Sequence, residues 1–188
     1  QGRQPHGQQV ELLVRVQSQS SMQVPLVLYT PRAFAEVMRD AQFSTGLYYG
    51  IVLALLFYNL VLWLMLRDSG YFWYLLHTGA FGMVLFTLNG YGFEYFWPNS
   101  AWLADASVPL SICLALVGMQ LFTRSFLELQ ERWPRGNLVS LMVTGFFVVL
   151  GIASFWLPYS TATPLASRAV LAGVVWIMVA TVVMLRRG

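Results

Sequence analysis

Lysine is missing from this 188-residue sequence: all eleven basic side chains are arginine, and charged residues of both signs make up only 10%. An ordinary soluble domain carries about 25%, so a chain this poor in charge would aggregate as a soluble fold. The net charge is only +3, with the arginines scattered among apolar runs. That argues against the clustered basic face that nucleic acid requires. One cysteine, Cys113, leaves no intrachain disulfide and, lying in an apolar run, reads as a small buried side chain. His77 has no second histidine or cysteine at ligand spacing, so no metal site is expected and no motif implies a cofactor. No serine has a nearby histidine to activate it, which places an intramembrane enzyme last among the readings.

What fills the space instead is hydrophobic: 57% of residues, with a mean hydropathy of +0.61. The run Leu47 to Leu66, LYYGIVLALLFYNLVLWLML, holds no charge and no proline. As a helix it spans about 30 Å, the thickness of a bilayer's hydrocarbon core. Tyr48, Tyr49 and Trp63 lie near its ends, and Arg67-Asp68 stops it abruptly, as at a membrane boundary. Four more runs follow at about 71–89, 105–122, 138–157 and 165–185. Pro109 falls inside the third, where neighbouring helices can satisfy the freed carbonyl. The short link Arg67-Asp68-Ser69-Gly70 forces the first two spans antiparallel. The segment from Gly90 to Trp102 carries six aromatic residues, an interfacial belt.

Ahead of the first span, Gln8 to Val16 alternates apolar and polar positions, and Gln23 to Tyr29 pairs back across a serine-rich turn. This reads as a β-hairpin, with Pro25 marking an edge strand. Two strands alone are marginal in water, so the hairpin is expected to close a larger sheet domain. Arg32 to Gln42 is a short amphipathic stretch suited to the interface. The chain opens at Gln1 without a signal-peptide pattern, so a segment of a longer polypeptide is expected. The fold class is therefore mainly α: a polytopic membrane bundle over residues 43–188 with five predicted spans, preceded over residues 1–42 by the terminal hairpin and a linker.

Five spans put the two ends on opposite sides. With the amino terminus outside, the inner segments hold Arg67, Arg124, Arg132, Arg135, Arg186 and Arg187, and the outer loops only Arg168. Arg32 and Arg39 weaken that bias, and the rest still sets the amino terminus extracytoplasmic and the carboxyl terminus cytoplasmic.

Ionisable groups inside a membrane are functional candidates because each costs about 2.5–3.5 kcal/mol at the centre on insertion scales. Here they avoid the centre. Glu94, Asp105 and Arg168 fall at the expected outer edge and are candidates to line one ligand pocket there. Asn59, His77 and Asn89 are the polar residues expected between helices, where interhelical hydrogen bonds explain them more readily than chemistry does. Gly46 with Gly50 and Gly79 with Gly82 are candidate close-approach faces for packing or dimerisation. A transporter or channel-like subunit is the alternative reading, although no broken helix or central ionisable group marks a polar path.

Four stretches, YYGIVLALLFYN, LRDSGYFWY, LNGYGFEYFWP and FTRSFLEL, the last followed by Trp133-Pro134, resemble the bacterial seven-transmembrane receptors with diverse intracellular signalling modules, the 7TMR-DISM family. The front portion, VELLVRVQSQSSMQVPLVLYTPRAF, is similar to the end of that family's extracellular jelly roll. The resemblance implies a sensor in a bacterial inner membrane that binds an extracytoplasmic small molecule or carbohydrate. It also implies a signal passed through the helices to a cytoplasmic module in cis, such as a histidine kinase or diguanylate cyclase, and a homodimer. No catalytic residue is implied within this chain.

Overall fold

The structure is a computed structural model that describes residues 27–187. The hairpin expected over 8–29 lies almost wholly on residues 1–26, outside the described residues, and Val27–Thr30 adopt no regular structure. Everything after them is helical or tightly turned.

Helix α1 runs from Pro31 to Leu66. Pro31 occupies the first turn, where its missing N–H costs nothing, and the Thr30 hydroxyl caps the Ala33 amide at 3.3 Å. The amphipathic stretch and the first span, separate in the sequence reading, form one helix of 36 residues, about 54 Å long. Neither proline nor a turn motif interrupts 32–47, and Ser44 folds its hydroxyl back onto the Asp40 carbonyl without breaking the ladder. The helix stops at Arg67, held left-handed at φ 53° with its N–H on the Trp63 carbonyl. Asp68 then caps Gly70 at 2.7 Å and starts α2, Ser69–Leu88, which runs back beside α1.

After Gly90, left-handed at φ 85°, residues Gly92–Phe96 make one π-helical turn. Ser100 caps α3, Ala101–Phe126, four residues ahead of the expected start. Glu128, left-handed at φ 49°, leads into the single turn α4, Leu129–Arg132. Pro134 opens α5, Pro134–Ala153, so this span lies four residues earlier than 138–157. The displacement follows from proline at both borders: Pro134 is preorganised for a first turn, and Pro158 disfavours helix in the residue before it. Helix α6, Tyr159–Arg187, begins directly after Pro158. The helices α1, α2, α3, α5 and α6 are each long and apolar enough to cross a bilayer.

Helix α3 is the hub. It packs against α2, α5 and α6, whereas α1 packs on α2 alone among the described helices. The core joins Cys113 and Leu116 of α3 to Phe147 and Leu150 of α5 and Ala166 and Ala169 of α6. Lipid offers no hydrophobic drive for helices to associate, so close backbone approach must hold them. Gly118 of α3 lies against the backbone of His77 on α2, Gly151 of α5 against Cys113, and Gly173 of α6 against Phe147. Leu53, Phe57 and Leu64 on α1 are exposed within the protein and face the lipid expected around them.

Candidate functional site

The end of the bundle where α3 begins is termed the upper end, and the end where α3 stops the lower end. At the upper end the belt condenses into a packed aromatic cluster. Tyr49 of α1 meets Phe86 at 5.8 Å and Tyr91 at 6.1 Å between ring centres, and Phe86 meets Phe96 at 5.4 Å. Asn89 donates from Nδ2 to the Tyr49 hydroxyl at 3.1 Å, tying the end of α2 to α1. Trp97 folds over Gly92, where a Cβ would lie 3.1 Å from its ring and 3.1 Å from Thr87 Oγ1. A side chain here would crowd the Trp97 ring and Thr87, which would have to give by a few tenths of an ångström.

The three charged candidates separate. Glu94 is exposed on the π-helical turn, and Arg168 is exposed on α6, nine residues and about 13 Å along from Tyr159. Asp105 alone lines a cavity, one of about 270 Å³ between the first turns of α3 and the 154–159 turn, walled by Trp102, Phe155, Trp156 and Tyr159. Neither Glu94 nor Arg168 lines this cavity.

Among the buried polar candidates, His77 places Nδ1 2.8 Å from the Ala115 carbonyl of α3, an interhelical hydrogen bond beside the Gly118 contact. Asn59 is buried but donates to the Leu55 carbonyl of its own helix at 2.8 Å. Gly82 receives Val52 of α1, whose Cγ1 would lie 3.2 Å from an added Cβ, and Gly79 receives Leu56 at 3.7 Å. Gly46 and Gly50 have nothing within 4 Å of an added Cβ and present an open face.

Three features escaped the sequence reading. Gln120, 1% exposed in the core, donates from Nε2 to the Gly173 carbonyl of α6 at 3.2 Å, while its Oε1 has no partner among the described residues. A glutamine in the middle of an apolar run was the available signal. An apolar cavity of about 300 Å³ lies between α2, α3 and α6, lined by His77, Phe81, Leu116, Val170, Val174 and Met178. At the lower end, the segment between α3 and α5 is a structured knot. Arg124 of α3 donates to Asn137 Oδ1 on α5 and to Gln130 Oε1 at 3.0 Å, and Arg132 pairs with Glu128 at 2.8 Å. Leu129 is buried beneath them, and Trp133 lies on Gly136 and stacks on Trp176 of α6 at 6.0 Å. Among the described residues no three His, Cys, Asp or Glu side chains cluster as metal ligands.

The family model for 7TM diverse intracellular signalling matches residues 41–188, most of the chain. The chain belongs to the 7TM diverse intracellular signalling family. No curated protein and no solved structure matches it in the corresponding comparisons. As a 7TMR-DISM protein it is a transmembrane sensory region of a signalling receptor, multi-pass in the membrane, with signal transduction as its role. The matched stretch begins within α1, ten residues after Pro31, and takes in every other helix described above.

Proposed function

We propose that this chain receives an extracytoplasmic signal, from a small molecule or carbohydrate, and passes it through the bundle to a cytoplasmic output module in cis, in a bacterial inner membrane. In this reading residues 1–42 belong to an extracytoplasmic sensory domain and its linker, residues 43–188 form the membrane domain, and the upper end faces outward.

The observation that carries the reading is the continuity and isolation of α1. It is one unbroken helix from Pro31 to Leu66 and, among the described helices, packs only on α2. With no proline or other break after its first turn, displacement of residues 31–42 is carried along the axis into the membrane span. Helices α2, α3, α5 and α6 are joined through α3 and act as the stator. A ligand biases such a two-state packing by its differential affinity for the two arrangements. The open face at Gly46 and Gly50 supports pairing with a second copy.

Orientation is tested by cysteine labelling in intact bacterial cells, in the full-length protein with Cys113→Ser. A membrane-impermeant maleimide is expected to label Asn99→Cys at the upper end and to spare Arg135→Cys until the cells are broken. The opposite pattern would refute the orientation and the direction of signalling with it.

A further inference from the structure

We propose that the cavity lined by Asp105 is a binding site for an ammonium group. The site is built rather than incidental. Trp102 Nε1 on α3 donates to the Phe155 carbonyl at 3.1 Å, and the two rings meet at 5.6 Å. The 154–159 turn is thereby fixed over the start of α3. Ser154 at its base is buried and spends its hydroxyl on the Gly151 carbonyl of its own helix, so it makes no demand on Asp105.

Charge and surface then select the ligand. Asp105 is the only Asp, Glu, Arg or His in the wall; its side chain is exposed, with neither a hydrogen bond nor an ion pair among the described residues. Four aromatic residues, Trp102, Phe155, Trp156 and Tyr159, share the wall with Ala106, Ser154, Leu157 and Pro158. Aromatic faces carry negative potential and attract cations, most strongly where tryptophan is present, and do so at exposed sites as well as buried ones. The helix ends do not reverse this. The amino ends of α3 and α6 each bring about half a positive charge and the carboxyl end of α5 about half a negative one, so a full carboxylate leaves the cavity net negative. Pro109 adds to it, because a proline four residues on removes the usual donor from the Asp105 carbonyl.

A volume of about 270 Å³ suits a compact ammonium head and excludes a folded peptide. The position, beside exposed Trp102 and Trp156 at the rim of the spans, gives the same chemistry two sources: a free amine in solution or the headgroup of a zwitterionic phospholipid.

The test titrates choline chloride, against sodium chloride at equal ionic strength, into the full chain in nanodiscs of phosphatidylglycerol alone, read by tryptophan fluorescence. Saturable binding is expected, weakened about tenfold or more in Asp105→Asn, partly restored in Asp105→Glu and unchanged in Glu94→Gln. In nanodiscs containing phosphatidylethanolamine, weakened choline binding that depends on Asp105 assigns the site to a lipid headgroup; unchanged binding assigns it to a soluble amine. Equal binding by the wild type and folded Asp105→Asn, or no saturable choline response in phosphatidylglycerol, overturns the proposal. The readout is binding and not output, so either result leaves the signalling role to its own tests.

Discussion

Gly118 of α3 and His77 of α2 touch backbone to backbone: a Cβ on Gly118 would lie 2.7 Å from the His77 amide nitrogen. The same contact carries the hydrogen bond from the His77 ring to the Ala115 carbonyl. Helix α2 is therefore fastened to the hub by fit and by polarity at one level. Gly118→Ala is expected to destabilise the bundle by about 1–3 kcal/mol, the usual cost of overpacking. Thermal unfolding of the full chain in detergent measures it, with Gly145→Ala, where an added Cβ meets nothing within 4 Å, as the reference for an unhindered helix glycine.

Gln120 is the deepest polar side chain in the core, and half of its amide is unpaired. Replacing it with leucine removes one bond to Gly173 and one orphan acceptor together, so Gln120→Leu is expected to change stability by less than about 1 kcal/mol. Gln120→Glu puts a carboxylate at the same depth and is expected to cost about 2.5–3.5 kcal/mol. Unfolding midpoints of the two variants in detergent check both signs.

The lower knot rests on Arg124. Its bond to Asn137 crosses from α3 to α5, and that to Gln130 crosses to α4. A double-mutant cycle of Arg124→Gln and Asn137→Ala is expected to return a coupling of about 0.5–3 kcal/mol. Additive losses, measured by chemical unfolding, would mean that the two side chains do not act as a pair.

Gly136 holds the same knot from the other side. A Cβ there would overlap the Trp133 ring, so Gly136→Ala must displace that ring from Trp176. The expected signature is a shift in tryptophan emission with a loss of about 1–3 kcal/mol, both absent when Trp133 is already replaced by leucine.

The membrane spans were legible because bilayer thickness sets the length of an apolar run, and all five runs identified in the sequence are helices. Their borders were less so, since they depend on single residues: Ser100 caps and Pro134 opens helices that begin four residues ahead of the runs at 105–122 and 138–157. The run 47–66 is the most conspicuous in the sequence, yet it belongs to the helix with one neighbour, while α3 sits at the centre. Hydropathy compares lipid with water and is blind to which apolar helix is surrounded. The clue to α3 was its small and polar residues, Ser107, Ser111, Cys113, Gly118 and Gln120, all of them buried. Asp105, Glu94 and Arg168 share an approximate depth in the sequence reading, but depth does not fix the direction around a helix. Only Asp105 turns out to line the cavity beneath the 154–159 turn.

The account turns on movement of α1 against α2, and the contact between Val52 and Gly82 allows it to be stopped. Val52 Cγ1 is the one atom among the described residues within 4 Å of an added Cβ at Gly82, at 3.2 Å, so the two Cβ atoms stand a little over 4 Å apart, within reach of a disulfide, whose Cβ atoms stand about 3.5–4.5 Å apart. The measurement is the activity of the output module in the full-length protein carrying Val52→Cys, Gly82→Cys and Cys113→Ser, oxidised and then reduced, in membranes. The account predicts that cross-linking fixes the output at one level and that reduction releases it, with no redox effect when the pair is absent. A fully formed disulfide that leaves output and its response unchanged would contradict transmission through α1.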